Sequence, residues 1–490
     1  MTVDRPEQIL TQIDLLSLKL AAHLGATPAS RDAAHGIAFV MTKNLEAYRC
    51  YSMAVEKANA YHSREAIALL EKALALDPEF AMAYARIGYV YTVIWNNERE
   101  KAKPYLEKAF QLQDHLTESD RLYIAGWYAI ACQDNTGAIE AFRKLAAAFP
   151  YEIEAYLRLG KLLNGQARPQ EAVSALQQAL VVDPEARDVY NALGFLYWTF
   201  GRYDDAIAAH QKYVRLAPDE ANAHDSLGLS YIEAGRYAEA LASFKEALAL
   251  KPDFHFALLH VGDVYFSLGQ YHSALKEYER YLQVAPSDWD RAIGHNRLTL
   301  LYLKKGDLQK AEAAARQELK CKNDVGGSFL VALTQGNMQA CENLLKQLTT
   351  SSIYTEEENN SREREYLPYF QGIFALKSGR TAEALGHFRE SLSHYGYLWN
   401  VTGIEDCLAN AYLELGRLDE AITEYERILR INSNWPTAYY HIAQAYERRG
   451  ERERARAAYE RFLEIWKQAD NDAPELVDAK ERLNNLLYAS

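Results

Sequence analysis

Chemistry in this chain would have to come from a few small clusters. His255, His260 and Asp263 stand closest together, and His260 and Asp263, three residues apart, share a helix face. A metal site would need a third convergent ligand, and none is evident, so the expected role is a surface hydrogen bond. The run "RRGERERAR", Arg448–Arg456, is basic on paper. Glu447, Glu451 and Glu453 interleave with its arginines at helical spacing, which is the pattern of a solvated, ion-paired face. The patterns GxGxxG, GxxxxGK[ST], HExxH and GxSxG are absent. The five cysteines, Cys50, Cys132, Cys321, Cys341 and Cys407, form no CxxC pair and are odd in number. Neither a zinc site nor a disulfide framework is expected, and a reducing compartment fits. The residues assign no catalytic group, no metal ligand and no cofactor-binding group; the expectation is a protein that is not an enzyme.

The elements that would position any site follow from a fixed period. Pro150, Pro184, Pro218, Pro252 and Pro286 stand 34 residues apart. Gly160, Gly194, Gly228 and Gly262 keep the same beat, as do Ala172, Ala206, Ala240 and Ala274. A period of this length is the mark of a repeat array. In the unit 221–254, Leu227, Gly228, Tyr231 and Ile232 recur at helical spacing, and so do Ala240, Leu241, Phe244, Ala247 and Leu248. Gly235 ends the first helix and Pro252 the second. Gly228 and Ala240 are small because two helices must pass closely there.

The chain has 490 residues, 49% of them hydrophobic, and a net charge of −13. The hydrophobic share is ample for folding. The acidic balance argues against nucleic acid as the main partner, because phosphate binding needs a basic surface. No apolar stretch approaches the ~20 residues needed to span a bilayer, and no signal-peptide core is present at the N-terminus. A cytoplasmic location is expected.

The 34-residue spacing and the small, large, Tyr, Gly, Ala, aromatic, Ala, Pro order resemble tetratricopeptide (TPR) repeats. The resemblance, with gaps, covers about residues 47–469. It implies an all-α fold, a right-handed superhelical solenoid of antiparallel helix pairs. The expected organisation is an N-terminal helix and linker (1–46), a first array of about eight repeats (47–325), a degenerate repeat and loop (326–365), a second array of about three repeats (366–469) and a capping helix (470–490). The helix at 1–25 reads either as a cap or as the last helix of an upstream domain. The polar segment 351–365 reads as a loop, with a helix extension from Thr355 as the alternative.

The resemblance also implies a function. In TPR proteins the first helix of each repeat lines a concave groove, with positions 2, 5, 6, 9, 12 and 13 facing it. Mapped onto the central repeats, these positions give Trp127, Arg158, Lys161, Asn191, Phe195, Trp198, Asn222, Asp225, Asp263 and Phe266 as partner-binding residues. Trp127, Phe195, Trp198 and Phe266 would act as exposed aromatic anchors of the kind peptide recognition uses. Arg158, Lys161 and Asn191 match a carboxylate clamp in part, with Asp188 and Asp225 nearby. An asparagine ladder is absent, since position 6 holds Arg158, Ala192, Ser226 and His260. The implied partner is a protein or peptide, held without making or breaking a bond. The first 90 residues or so also resemble the junction before the TPR region of bacterial multidomain regulators that carry an upstream kinase or winged-helix domain. A regulatory half of a larger signalling protein is therefore the alternative function.

Overall fold

The computed structural model describes residues 42–488 except 60–61, 95–98, 113–115, 167, 323, 351–364, 395–400 and 402. The expected N-terminal helix, most of the 351–365 segment and most of residues 95–99, where the second repeat carries two residues beyond the period, lie outside the described residues. Among those described, twenty-five α-helices follow one another and no strand occurs. The chain forms two compact units that meet in sequence between Val189 and Tyr190.

The first unit holds α1 (Leu45–Asn59), α2 (Ser63–Leu76), α3 (Ala81–Tyr89), α4 (Arg99–Gln111), α5 (Glu118–Ala131), α6 (Asn135–Ala148), α7 (Ile153–Gly165) and α8 (Pro169–Val182). A π-helical turn, Val90–Ile94, extends α3. Helix α9 (Arg187–Thr199) contains the boundary. The second unit continues with α10 (Tyr203–Leu216), α11 (Ala221–Glu233), α12 (Tyr237–Leu250), α13 (His255–Ser267), α14 (Tyr271–Val284), α15 (Asp288–Lys304) and α16 (Leu308–Lys322). A shorter pair follows, α17 (Gly326–Thr334) and α18 (Met338–Thr350), and then α19 (Tyr366–Lys377) and α20 (Thr381–His394). The chain ends with α21 (Cys407–Glu414), α22 (Leu418–Ile431), α23 (Pro436–Arg449), α24 (Arg452–Ile465) and α25 (Pro474–Tyr488).

The pairing α11/α12 and α13/α14 shows why the repeat forms. A Cβ on Gly262 would lie 2.5 Å from the Tyr278 ring, so only glycine lets α13 and α14 close over that ring. Tyr278 and its counterpart Phe244 are completely buried. Each such side chain contributes ~1.5–3 kcal/mol by leaving water. After Asp288 the sequence carries three residues beyond the 34-residue period, and they are absorbed by lengthening a helix: α15 has 17 residues where α11 and α13 have 13.

One helix departs from its repeat. The copy that starts at 402 by sequence gains helical structure only at Cys407, and α21 has 8 residues. Gly403 sits at φ +81°, a left-handed conformation that does not propagate a right-handed helix. Asp406 thereby becomes the residue that precedes the helix.

The second unit also closes on itself across about 200 residues. Asn432 Nδ2 donates to Ile232 O (3.3 Å) and Asn434 Nδ2 to Gly235 O (3.0 Å). Trp466 Nε1 donates to Ser267 O (3.0 Å), and the Asp470 N–H to Gly269 O (3.0 Å). Lys304 Nζ donates to Glu475 Oε1 (2.6 Å). These bonds join the ends of α22 and α24 and the start of α25 to the turns α11/α12 and α13/α14 and to the end of α15. Repeats assigned by sequence to separate arrays thus belong to one unit, because the later ones supply the donors that satisfy carbonyls at the turns of the earlier ones.

Candidate partner-binding groove

The residues expected to line the groove are largely engaged with their own neighbours. In the first unit Trp127 is only 1% exposed. It meets Tyr89 edge-on at 5.0 Å, and the Arg158 guanidinium stacks 4.8 Å from its ring. Arg158 Nε donates to Glu154 Oε1 at 2.6 Å. Burial works against the Arg158 charge, but Glu154 outweighs it and holds the group above its ordinary pKa. Lys161 is accessible to water, although neighbouring protein crowds its ammonium. Reduced hydration, with Arg158 nearby, pushes its ammonium down to about 8.

In the second unit Trp198 is 7% exposed and lies edge-on to Phe195 at 4.7 Å. Its Nε1 donates to Ser230 Oγ (2.9 Å), which lies 2.6 Å from His210 Nδ1. His210 Nε2 reaches Asn191 O at 3.2 Å. The bonds fit a neutral His210 with its proton on Nε2, and burial pushes its pKa down to about 3. Phe266 is 7% exposed and packs on Tyr271 at 5.5 Å. Asn222 Nδ2 donates to Tyr213 OH at 3.2 Å. The exposed-anchor reading is therefore corrected for Trp127, Trp198 and Phe266: aromatic neighbours, and for Trp198 a hydrogen-bonded serine, fill the space a ligand would use. Phe195 is half-buried.

The cluster of His260 and Asp263 also resolves differently. His260 Nδ1 pairs with Asp225 Oδ1 at 2.9 Å. Asp263 Oδ1 accepts from Tyr278 OH (2.7 Å) and Arg297 Nε (2.9 Å). Both aspartates are buried and ion-paired inside the unit. Among the described residues the group that could hold a metal is His272, Asp470 and Asp472. It lies at the surface, and Asp470 already accepts from His272 at the closing contact.

An open hollow of about 250 Å³ lies elsewhere, between α21 and α23. Its lining is Asn410, Leu413, Glu414, His441, Gln444 and Arg448. Tyr425 OH donates to Asn410 Oδ1 (2.5 Å), and Arg448 Nη1 to Leu413 O (2.9 Å). Asp406, one turn before Asn410, is buried at 5% exposure. Its Oδ2 lies 3.9 Å from His441 Nδ1. Neither Asp406 Oδ1 nor His441 Nδ1 has a hydrogen-bond partner among the described residues. Burial raises Asp406 to about 6, and burial with Lys304 nearby pushes His441 down to about 4.

Tetratricopeptide repeat models match residues 157–221, 226–289 and 262–324, with further TPR models on 409–450 and 437–468. The Photosystem I assembly protein Ycf3 of Prochlorococcus marinus (strain MIT 9303) is 30% identical over 118 residues, 23% of this chain and 68% of the relative. The chain belongs to the tetratricopeptide repeat family. Among solved structures, MamA shares 28% identity at a TM-score of 0.29, covering 33% of this chain and 94% of its own. A tetratricopeptide repeat protein from Parabacteroides merdae shares 18% identity at a TM-score of 0.38, covering 60% and 98%.

The TPR register explains where the hollow falls. Counted from 402, Asn410, Leu413 and Glu414 are positions 9, 12 and 13, and Asp406 is position 5. Counted from 436, His441, Gln444 and Arg448 are positions 6, 9 and 13. All six lining residues satisfy the same positional rule that selected Trp127 to Phe266 in the central repeats. The residues expected to bind a partner all lie in the central repeats, and none falls in these two copies. No described helix is long and apolar enough to cross a membrane.

Proposed function

We propose that this TPR protein is a binding scaffold that holds an extended segment of a partner protein along its first-helix face, without making or breaking a bond. The observation that supports this most is the open hollow between α21 and α23, lined by Leu413 and by the polar side chains of Asn410, Glu414, His441, Gln444 and Arg448. Peptide grooves combine apolar contact with a few fixed polar groups in this way. The net charge of −13 favours a protein over a nucleic-acid partner. A role in building a larger complex, which the Ycf3 relative's name states for that protein, is of the same class.

The test is site-specific photo-crosslinking in the native cell. A photoreactive residue at Gln444 should capture a defined segment of one partner protein, while the same residue at Glu239, exposed on α12, should not. Equal adducts at both positions, or adducts at Glu239 alone, would overturn the groove assignment.

A further inference from the structure

The first unit gathers more positive charge on its first-helix face than it compensates. Counted from Ala81, Arg86 is position 6; counted from Ile153, Arg158 and Lys161 are positions 6 and 9. All three act on one acid. Burial works against the Glu154 charge, but Arg158, which also bonds it, and then Lys161 and Arg86 hold its carboxyl below the usual range. The Tyr89 ring receives both guanidinium groups, Arg86 at 4.5 Å and Arg158 at 5.4 Å, and Trp127 lies 4.8 Å from Arg158. The arginines are thus engaged with Glu154 and with aromatic faces. Lys161 is not: it is exposed, and among the described residues it makes no hydrogen bond and no ion pair.

Reduced hydration and then the Arg158 charge disfavour the Lys161 ammonium, and Asp188 and Glu154 restore it only in part. An anion placed beside it would relieve that cost. A metal ion or a basic side chain would meet a like charge instead. A nucleic acid would bring its phosphates to a chain of net charge −13. A phosphate dianion would crowd Glu154 and Asp188, whereas one carboxylate matches the one free ammonium. The backbone is also set apart here. A π-helical turn, Val90–Ile94, begins directly after Tyr89, and Thr92 Oγ1 donates to Gly88 O at 2.7 Å. Single π-turns inside helices are frequent at functional sites.

We infer that this face of the first unit holds an acidic side chain, aspartate or glutamate, of the bound segment: its carboxylate accepts from Lys161 Nζ, and Arg158 and Arg86 supply the positive field behind it. This rests on the groove reading above and adds the chemistry of the partner to it. It concerns the first unit alone, whereas the hollow belongs to the second. Of the charged residues expected to bind a partner, Arg158, Asp225 and Asp263 are buried and paired, and Lys161 alone is exposed.

The experiment is selection of random dodecapeptides on the full chain, followed by fluorescence anisotropy of the selected peptides with amidated C-termini. Each is measured on wild type, Lys161→Met and Lys144→Met. Both lysines are exposed, so neither change touches the core; Lys144, on α6, is paired with Glu140 and serves as the control. Peptides should be recovered whose affinity falls about tenfold on Lys161→Met and is unchanged on Lys144→Met, the size of a charge-assisted hydrogen bond. Replacing one aspartate or glutamate of such a peptide by its amide should cost the same, and the two changes together no more than either alone. Affinity that depends on Lys161 yet survives replacement of every acid would overturn the carboxylate. Affinity that disappears on amidation would move the contact to a chain end and overturn the side-chain assignment. A selection that yields no peptide sensitive to Lys161→Met would overturn the subsite. With crosslinking from Gln444 intact, that result leaves the groove reading standing; with crosslinking lost as well, both fall.

Discussion

The central repeats and the last two repeats of the second unit occupy the same TPR positions with opposite results. In α9 to α15 the groove positions are closed by the chain itself: Trp198 bonds Ser230, Asp225 pairs with His260, and Asp263 pairs with Arg297. In α21 and α23 the same positions surround an open hollow and leave Asp406 and His441 with unpaired atoms. The difference is one of openness rather than of complete satisfaction, since Asn191 Oδ1 in α9 also lacks a partner among the described residues. Natural sequences give up local consistency at functional sites and compensate elsewhere, and α21 fits that pattern.

The sharpest break of this comparison is Trp198→Ala. An exposed anchor would be lost with little change in melting. The buried indole, packed on Phe195 and bonded to Ser230, should instead cost ~3–5 kcal/mol on truncation, read as a lowered midpoint in urea or thermal unfolding. Photo-crosslinking from Gln444, in the C-terminal hollow, should be unchanged below that midpoint. A melt within a degree or two of wild type would restore Trp198 to the groove surface.

A smaller effect separates the closing contact from ordinary helix ends. Gly269 and Gly416 both lie in the left-handed region, φ +71° and +72°. A Cβ on Gly269 would meet the Trp466 ring at 2.8 Å, whereas one on Gly416 would meet nothing within 4 Å. Gly416→Ala should therefore cost only the backbone penalty, ~1–2 kcal/mol. Gly269→Ala should add ~1–3 kcal/mol of overpacking to that and raise hydrogen exchange at the Asp470 amide. Equal losses would show that the closing contact carries no measurable stability.

Much of this molecule is legible in its sequence, for a physical reason. Glycine at 262 and an aromatic at 278 are forced on each other by helix proximity, so the repeat, the helix pairs and their order follow from spacing alone. The closing contact is not legible: Asn432, Asn434, Trp466 and Asp470 sit in connections between or after helices, where no periodicity constrains them, and their partners lie some 200 residues away. The groove is legible in position and illegible in exposure. Position 12 of a repeat points inward whether a ligand or a neighbouring Ser230 receives it. What could have singled out the last repeats is Gly403, a helix-breaking residue in the first helix of an otherwise good copy, with an acid three residues later.

The subtlest prediction concerns Asp406 and has an unusual sign. An unfolded aspartate loses its proton near pH 4, whereas burial holds the Asp406 proton to about 6. Between those values the folded chain binds more protons than the unfolded one, so ionisation costs stability as pH rises through that window, and the cost is complete above it. Asp406→Asn, which removes the ionisation, should therefore stabilise the protein at pH 7 by ~1–3 kcal/mol and make no difference below about pH 4. His441, pushed down to about 4, acts the other way, losing stability as pH falls from its ordinary range; it is present in both proteins, so the comparison above pH 6.5 isolates the carboxylate. Urea unfolding of both proteins from pH 4 to pH 8 reads the difference. A variant that is less stable than wild type at pH 7 would mean that the Thr437 and Asn410 bonds hold the fold together and that the carboxylate is structural.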